Sequence, residues 1–126
     1  MDNEIIIQRD HKWDPRRKTY FLDKEGIFEI DSDIFIPAAI GDVITDKTGS
    51  ELLEHNIKMV VEAANLPTLP RAGKYLHKNV VWIIPYFIAN AGGVIGSFVE
   101  YQGRTEKEAV ELIKYRILKT VRHILT

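Results

Sequence analysis

The sequence predicts an α/β fold with a parallel sheet of about three strands and crossover helices. Three short apolar runs, at 33–37, 57–62 and 80–85, each precede a segment with helical character. Such alternation is typical of parallel strands joined by helices. The last twenty residues repeat apolar side chains at helical spacing, which predicts a long C-terminal helix. A strand or hairpin is expected before the sheet.

Composition limits the classes of function. At 126 residues the chain fits a single domain, 1–126. The net charge of −1 argues against nucleic acid or an anionic membrane as a partner. Absence of cysteine excludes disulfides and thiolate metal sites, and fits a cytoplasmic protein. The acidic N-terminus does not resemble a signal peptide, and no apolar run reaches the length of a membrane span.

Residues 1–32 are interpreted as a separate N-terminal strand or hairpin segment. Apolar runs predict strands at 4–8 and 19–22, with extended backbone again at 27–30. The polar stretch 9–18 is expected to be a loop with Trp13 and Asp14 at its centre, and a turn is expected at 23–26. We expect this segment to cover an exposed edge of the sheet.

The central part predicts two strands and two helices. Strands are expected at 33–37 and 57–62, both buried. The first helix is expected at 48–55 with Thr48 and Glu51 as its capping box. Thr68 is expected to cap the second helix, which continues to about His77 and tolerates Pro70 in its first turn.

The final part predicts the third strand at 80–85 and two helices, at 87–102 and 105–125. Thr105 and Glu108 have the spacing of a capping box. The apolar stripe of the last helix is wide, which suggests burial on more than one side and an interface.

The carboxyl ends of the three strands are the expected ligand edge, because parallel sheets bind ligands there. Small residues follow each strand, and we expect them to leave backbone amides open to a ligand. Asn65 and Asn90 add side chains that both donate and accept hydrogen bonds. This combination suits a polar, planar ligand better than acid–base chemistry.

Three motifs carry a resemblance to a known family: DIFIPAA at 33–39, VVEAANLPT at 60–68 and ANAGGV at 89–94, with SFVE following at 97–100. They resemble the C-terminal half of the nucleotide-binding domain of glutamate dehydrogenases, within the glutamate, leucine, phenylalanine and valine dehydrogenase superfamily. The resemblance covers 33–126 and implies a partial Rossmann-like sheet. It also implies hydride transfer between an amino acid and NAD or NADP.

The resemblance implies site roles. The loop 37–39 would lie against the cofactor, Asn65 near the nicotinamide ribose and Asn90 near the carboxamide. Val94 and Ser97 would approach the substrate side chain. The implied cofactor-binding residues are Pro37, Ala38, Ala39, Asn65, Asn90, Gly92 and Gly93.

The chain also departs from the family pattern. No Gly-x-Gly-x-x-Gly follows a first strand, and the nearest string, 91–96, begins with Ala and coincides with the later motif, so it is rejected as a pyrophosphate site. Ala63 stands where the family usually has Gly. Tyr86 stands where the family usually has Asp, and its ring would lie beside the nicotinamide. The family's substrate domain, with its catalytic lysine and aspartate, has no counterpart. No catalytic residue and no metal site are therefore assigned.

Two functional hypotheses follow. In the first, a truncated dehydrogenase-derived domain is not catalytic alone and assembles with itself or with a partner chain that supplies the missing half. In the second, the chain retains part of the nicotinamide site, as a small-molecule binder or as a subunit or split-gene fragment of an active NAD(P)-dependent glutamate dehydrogenase.

Several features have simpler explanations. The two asparagines suit loop backbone, and Gly92 and Gly93 suit tight helix–strand packing. The tryptophans suit core or interface packing, and the four histidines lack metal-ligand spacing. The basic cluster could bind phosphate but suits a solvated loop better; it comprises Arg9, His11, Lys12, Arg16, Arg17 and Lys18.

Overall fold

The structure, a computed structural model, describes residues 13–14, 19–20 and 26–124, with the backbone alone for the first four. Three parallel strands form the central sheet in the order β3 (Ile34–Phe35), β4 (Met59–Val61) and β5 (Trp82–Ile84). The helices are α1 (Asp46–Glu54), α2 (Pro70–Lys78), α3 (Tyr86–Ala89), α4 (Gly92–Tyr101) and α5 (Glu106–Ile124). The predicted α/β class, the parallel sheet and the long C-terminal helix are confirmed.

The N-terminal segment differs from the prediction. Trp13–Asp14 (β1) pairs antiparallel with Thr19–Tyr20 (β2), so Trp13 and Asp14 lie in a strand rather than a loop. Gly26–Glu29 is a 3₁₀ helix, not extended backbone, because Phe28 is buried and packs on Phe35 at 5.2 Å between ring centroids. In the described part of the chain, this hairpin forms its own sheet and does not pair with β3. The strand predicted at 4–8, the turn residues 23–25 and the basic cluster lie outside the described residues.

One face of the sheet packs against α1 and α2. Phe35, Val60 and Ile83 are in register across the three strands and contact the buried cluster that includes Leu52 and Leu76. The connections from β3 through α1 to β4, and from β4 through α2 to β5, each move one strand along the sheet in the same direction. With the usual right-handed connections they place both helices on one face.

The other face of the sheet is partly open in the described residues. Ile34, Met59 and Trp82 are in register there, and Ile34 and Trp82 are about half exposed. The expectation that 33–37 is fully buried is therefore wrong for Ile34 and Ile36, and Trp82 is not a core residue.

The helix boundaries differ from those that the local sequence predicts. Helix α1 starts at Asp46 with Thr45 as N-cap, and its capping box is Thr45 with Thr48 rather than Thr48 with Glu51. Leu69 precedes α2, so Thr68 is not the cap; its Oγ1 is buried without a partner among the described residues. Thr68 instead forms an isolated parallel bridge with Ile44, which fixes its backbone in an extended conformation.

The predicted helix 87–102 is two helices. Asn90 ends α3, and α4 begins at Gly92. The capping box of α5 is confirmed, because Thr105 N donates to Glu108 Oε2 at 2.9 Å and Glu108 N to Thr105 Oγ1 at 3.4 Å. No described residue of α5 is fully buried, so its apolar stripe is not covered on more than one side. None of the helices in the described ranges is long and apolar enough to cross a membrane.

Candidate functional site

The predicted ligand edge exists, because the segments that follow β3, β4 and β5 meet at the carboxyl edge of the sheet. The Pro37 carbonyl accepts hydrogen bonds from Ala63 N (3.1 Å) and Ala64 N (2.8 Å). These bonds join the end of β3 to the end of β4. They also correct one expectation: the backbone amides of Ala63 and Ala64 are occupied and are not open to a ligand.

A buried carboxylate joins the end of β4 to the start of α3. Glu62 Oε2 accepts a hydrogen bond from Tyr86 N at 2.9 Å, and Glu62 N donates to Ile84 O at 3.0 Å. Glu62 is 6% exposed. The sequence placed Glu62 in a strand-end segment of interest but assigned it no role. The available signal was an acidic residue directly after a buried apolar strand, where charged side chains are rare unless they have partners.

The two asparagines that sequence reasoning selected are in direct contact. Asn90 Nδ2 donates to Asn65 Oδ1 at 2.5 Å, across 25 residues of sequence. Asn65 is exposed and Asn90 is half-buried. The bond leaves one amide donor, Asn65 Nδ2, and one acceptor, Asn90 Oδ1, without a partner in the described part of the chain. A carboxamide carries the complementary groups, one acceptor and one donor.

The loop that carries Asn65 is held in a tight conformation. Asp42 N donates to Leu66 O at 2.9 Å, and Ile44 N to Pro67 O at 2.8 Å. Leu66 has φ +47°, which is uncommon for a residue with a side chain. A Cβ at Gly41 would lie 3.1 Å from the Asn65 carbonyl oxygen, so a larger residue there would press on the backbone of this loop. Gly41 is a second position that the sequence analysis missed.

The remaining predicted site residues differ in how much of each side chain is exposed. Pro37 is buried, whereas Ala38 and Ala39 are exposed beside the strand end. Val94 and Ser97 are exposed on α4. Tyr86 is half-buried, and its ring packs edge-on against that of Phe87 with 5.6 Å between centroids.

Neither predicted glycine packs against a strand. A Cβ on Gly92 would lie 3.5 Å from Ile113 of α5, so this glycine allows close helix–helix contact. A Cβ on Gly93 would have no neighbour within 4 Å. The interpretation of helix–strand packing is therefore wrong for both, and Gly93 faces open space.

The hydrogen-bonding groups at this edge suit an amide better than a phosphate. The asparagine pair has one free donor and one free acceptor. A glycine-rich turn from a strand directly into a helix, the usual phosphate cradle, is lacking among residues 26–124, because α3 separates β5 from α4. No group of three histidine or acidic side chains that could hold a metal occurs within the described residues.

Comparison with known proteins identifies the family. The sequence pattern of the Glutamate/Leucine/Phenylalanine/Valine dehydrogenase family matches residues 4–124. The chain belongs to this family. The match begins well before Asp33, where the first of the three motifs starts. The glutamate dehydrogenase of Aeropyrum pernix is 35% identical over 106 residues, covering 79% of this chain and 25% of that protein. The NAD-specific glutamate dehydrogenase of Staphylococcus aureus (strain COL) is 40% identical over 82 residues, covering 64% and 19%.

Solved structures agree with this membership. Plasmodium falciparum glutamate dehydrogenase 2 superposes with a TM-score of 0.69 at 28% identity, over 79% of this chain and 23% of that one. The hetero-hexameric glutamate dehydrogenase of Thermus thermophilus has a TM-score of 0.68 at 21% identity, over 78% and 24%, which shows a shared fold. The chain thus spans a quarter or less of the length of these relatives.

Proposed function

We propose that this chain forms the nicotinamide-facing wall of a glutamate dehydrogenase-type NAD(P) site. The observation that carries the proposal is the Asn65–Asn90 hydrogen bond, which leaves one donor and one acceptor free on the same pair of side chains at the carboxyl edge of the sheet. In this proposal the exposed loop at Ala38 and Ala39 lies along the cofactor. Val94 and Ser97 face the substrate side.

The chain's own residues would orient the cofactor rather than transfer protons. When bound, NAD or NADP supplies the hydride acceptor for oxidation at an amino-bearing carbon. The Asn65–Asn90 pair would fix the plane of the carboxamide. No described side chain at this edge is placed as a base for the amino group, because Glu62 is buried and engaged with Tyr86 N.

We propose further that the chain is not catalytic alone and acts within an assembly, in the cytoplasm. The chain would pair with a second copy, or a partner chain would supply the missing half of the site. The half-exposed sheet face at Ile34 and Trp82 and the exposed apolar side chains of α4 support this. The Thermus thermophilus relative is itself a hetero-hexamer.

The nucleotide part of the proposal is tested by titrating ¹⁵N-labelled protein with NAD and, separately, with NADP. We expect shifts of the Asn65 and Asn90 side-chain amide signals at millimolar ligand, and a smaller Asn65 shift in Asn90→Ala. Asn79→Ala is the matched control, because Asn79 Nδ2 bonds the Tyr75 carbonyl at the end of α2, away from this edge. Unchanged Asn65 and Asn90 signals with both nucleotides would refute the proposal.

A second candidate is a subunit or split-gene fragment of an active glutamate dehydrogenase. The family match over 4–124, against a quarter or less of the relatives' length, favours it. The test is a neighbouring reading frame that encodes a glycine-rich phosphate turn and the family's substrate domain. Co-expression of both chains should then yield glutamate-dependent reduction of NAD or NADP, and an inactive co-purified complex would refute it.

A further inference from the structure

We propose that two copies of this chain pair through an apolar ridge on α4 and the groove beside it. The ridge consists of Val94, Phe98 and Tyr101; the groove lies between α3–α4 and α5. This proposal rests on the assembly part of the proposed function and names a second copy as the partner. A copy seated on the ridge covers Val94, so pairing and substrate access to Val94 exclude each other. It does not depend on nucleotide binding.

The ridge is an exposed stripe on one face of a helix. Its residues are spaced i, i+4 and i+7, which places them together on α4. Val94 is 77% exposed, Phe98 55% and Tyr101 91%. Scattered apolar residues on a surface are ordinary, but a contiguous stripe of large ones marks an interaction surface.

The groove is apolar and has a volume of about 420 Å³. Phe87 and Ile95 line one wall, and Leu112 and Ile117 of α5 line the other. Val94 and Phe98 belong to both the ridge and the groove, so the two features adjoin on one surface.

A ridge next to a groove is self-complementary. In a dimer with a twofold axis, the same patch of each copy must fit that of the other, and each ridge can enter the partner's groove. Apolar side chains of both copies are then removed from contact with water. This arrangement favours a second copy over an unrelated chain, which would have to supply the complementary shape independently.

The charges around the patch favour the same pairing. Residues 79–99 contain no charged side chain, so two copies meet without repulsion there. The ridge helix continues into Glu100, and the groove is lined by Arg116. Within the described residues, neither Glu100 nor Arg116 has an ion-pair partner. In a twofold dimer, Glu100 of each copy would approach Arg116 of the other, so two pairs of opposite charges would face each other across the interface.

Gly93 adds an independent observation. A glycine inside a helix costs about 1 kcal/mol relative to alanine. A Cβ at Gly93 would meet no other atom within 4 Å, so packing of the described chain does not require glycine there. An open glycine beside the ridge allows close approach by another chain.

The test is sedimentation equilibrium of the 126-residue chain without nucleotide, from micromolar to submillimolar concentration. We expect a reversible dimer, with twice the 14.5 kDa chain mass at the upper end. Phe98→Glu should weaken dimerisation at least about tenfold. Leu118→Glu, the matched control, introduces the same charge at 54% exposure on α5, outside ridge and groove, and should leave the dimer intact.

Two further variants keep the proposal falsifiable. Tyr101→Glu changes a side chain that is almost fully exposed, so it should dissociate the dimer without unfolding the chain. Glu100→Arg and Arg116→Glu should each weaken the dimer, and their combination should restore it. A monomer at every concentration, a dimer insensitive to both ridge variants, or one equally sensitive to Leu118→Glu would overturn the proposal. Asn65 and Asn90 shifts with NAD in a monomeric chain would leave the proposed nucleotide function standing while this inference failed.

Discussion

The Glu62 carboxylate and the Tyr86 backbone N–H form a hydrogen bond of 2.9 Å between two strand ends that lie 24 residues apart. This bond sets the start of α3 against the end of β4. Asn65 follows Glu62 by three residues and Asn90 follows Tyr86 by four, so the bond also brings the loops of the two asparagines together. Glu62 is therefore inferred to be a positioning residue for the asparagine pair.

Removal of that carboxylate should destabilise the fold. Glu62→Ala leaves Tyr86 N–H without its acceptor, and we expect a loss of about 1–3 kcal/mol in the free energy of unfolding, measured in urea. Glu62→Gln keeps an acceptor oxygen and should lose less. Glu54→Ala, at an exposed glutamate of α1, should change stability by no more than about 0.5 kcal/mol. Equal effects of Glu62→Ala and Glu54→Ala would contradict the positioning role.

Val80 should be a site where glycine stabilises the protein. Its φ is +64° and it is 82% exposed, directly after the Asn79 C-cap of α2. A left-handed conformation costs a residue with a side chain roughly 1–2 kcal/mol, which glycine avoids. Val80→Gly is thus expected to raise the free energy of unfolding by about 1 kcal/mol. Val110→Gly, within α5, should lower it. A loss of stability in Val80→Gly would argue against the strained conformation.

The start of α5 should loosen in acid. The backbone N–H and then the hydroxyl of Thr105, followed by Arg104, hold the pKa of Glu108 below its ordinary value of 4.5. Since the folded pKa is the lower one, the stabilisation is present above the unfolded pKa and is lost as pH falls through the folded value. We expect the Thr105 amide signal to report this loss below about pH 4.5 by NMR. In Glu108→Gln that pH dependence should vanish, and its persistence would exclude Glu108 as the titrating group.

Tyr86 is expected to hinder the nicotinamide. Its ring packs edge-on against Phe87 at the start of α3, where the family resemblance leads us to expect a smaller acidic residue. Tyr86→Ala keeps the backbone N–H that bonds Glu62, so it opens space without breaking that tie. Affinity for NAD should rise by up to about tenfold, as measured by titration, while Tyr86→Phe should change it little. A weaker affinity in Tyr86→Ala would mean that the ring contacts the ligand favourably.

The parallel direction of the strands could be predicted, since each apolar run is followed by a helical pattern and by small residues at its end. Asn65 and Asn90 could be selected for the same reason, because both follow predicted strands. The sequence did not predict that helices cover only one face of the sheet, because the apolar run at 33–37 has the pattern of a fully buried strand. Only the register shows that Ile34 and Trp82 share the open face.

Errors in the prediction arose where tertiary contacts override local signals. Val80 looked like the first residue of a strand, yet it follows the end of α2 in a left-handed conformation. Thr68 has the chemistry of a cap, but its bridge with Ile44 holds it in an extended conformation. The acceptor role of Glu62 was missed because it depends on Tyr86, 24 residues further along the chain.

The most direct test of the nicotinamide-facing wall is to compare two halves of the cofactor. ¹⁵N-labelled protein is titrated with nicotinamide mononucleotide and, in parallel, with AMP, and the Asn65 and Asn90 side-chain amide signals are followed. We predict shifts of both asparagines with nicotinamide mononucleotide and none with AMP. Shifts with AMP alone, or with neither compound, would contradict the account.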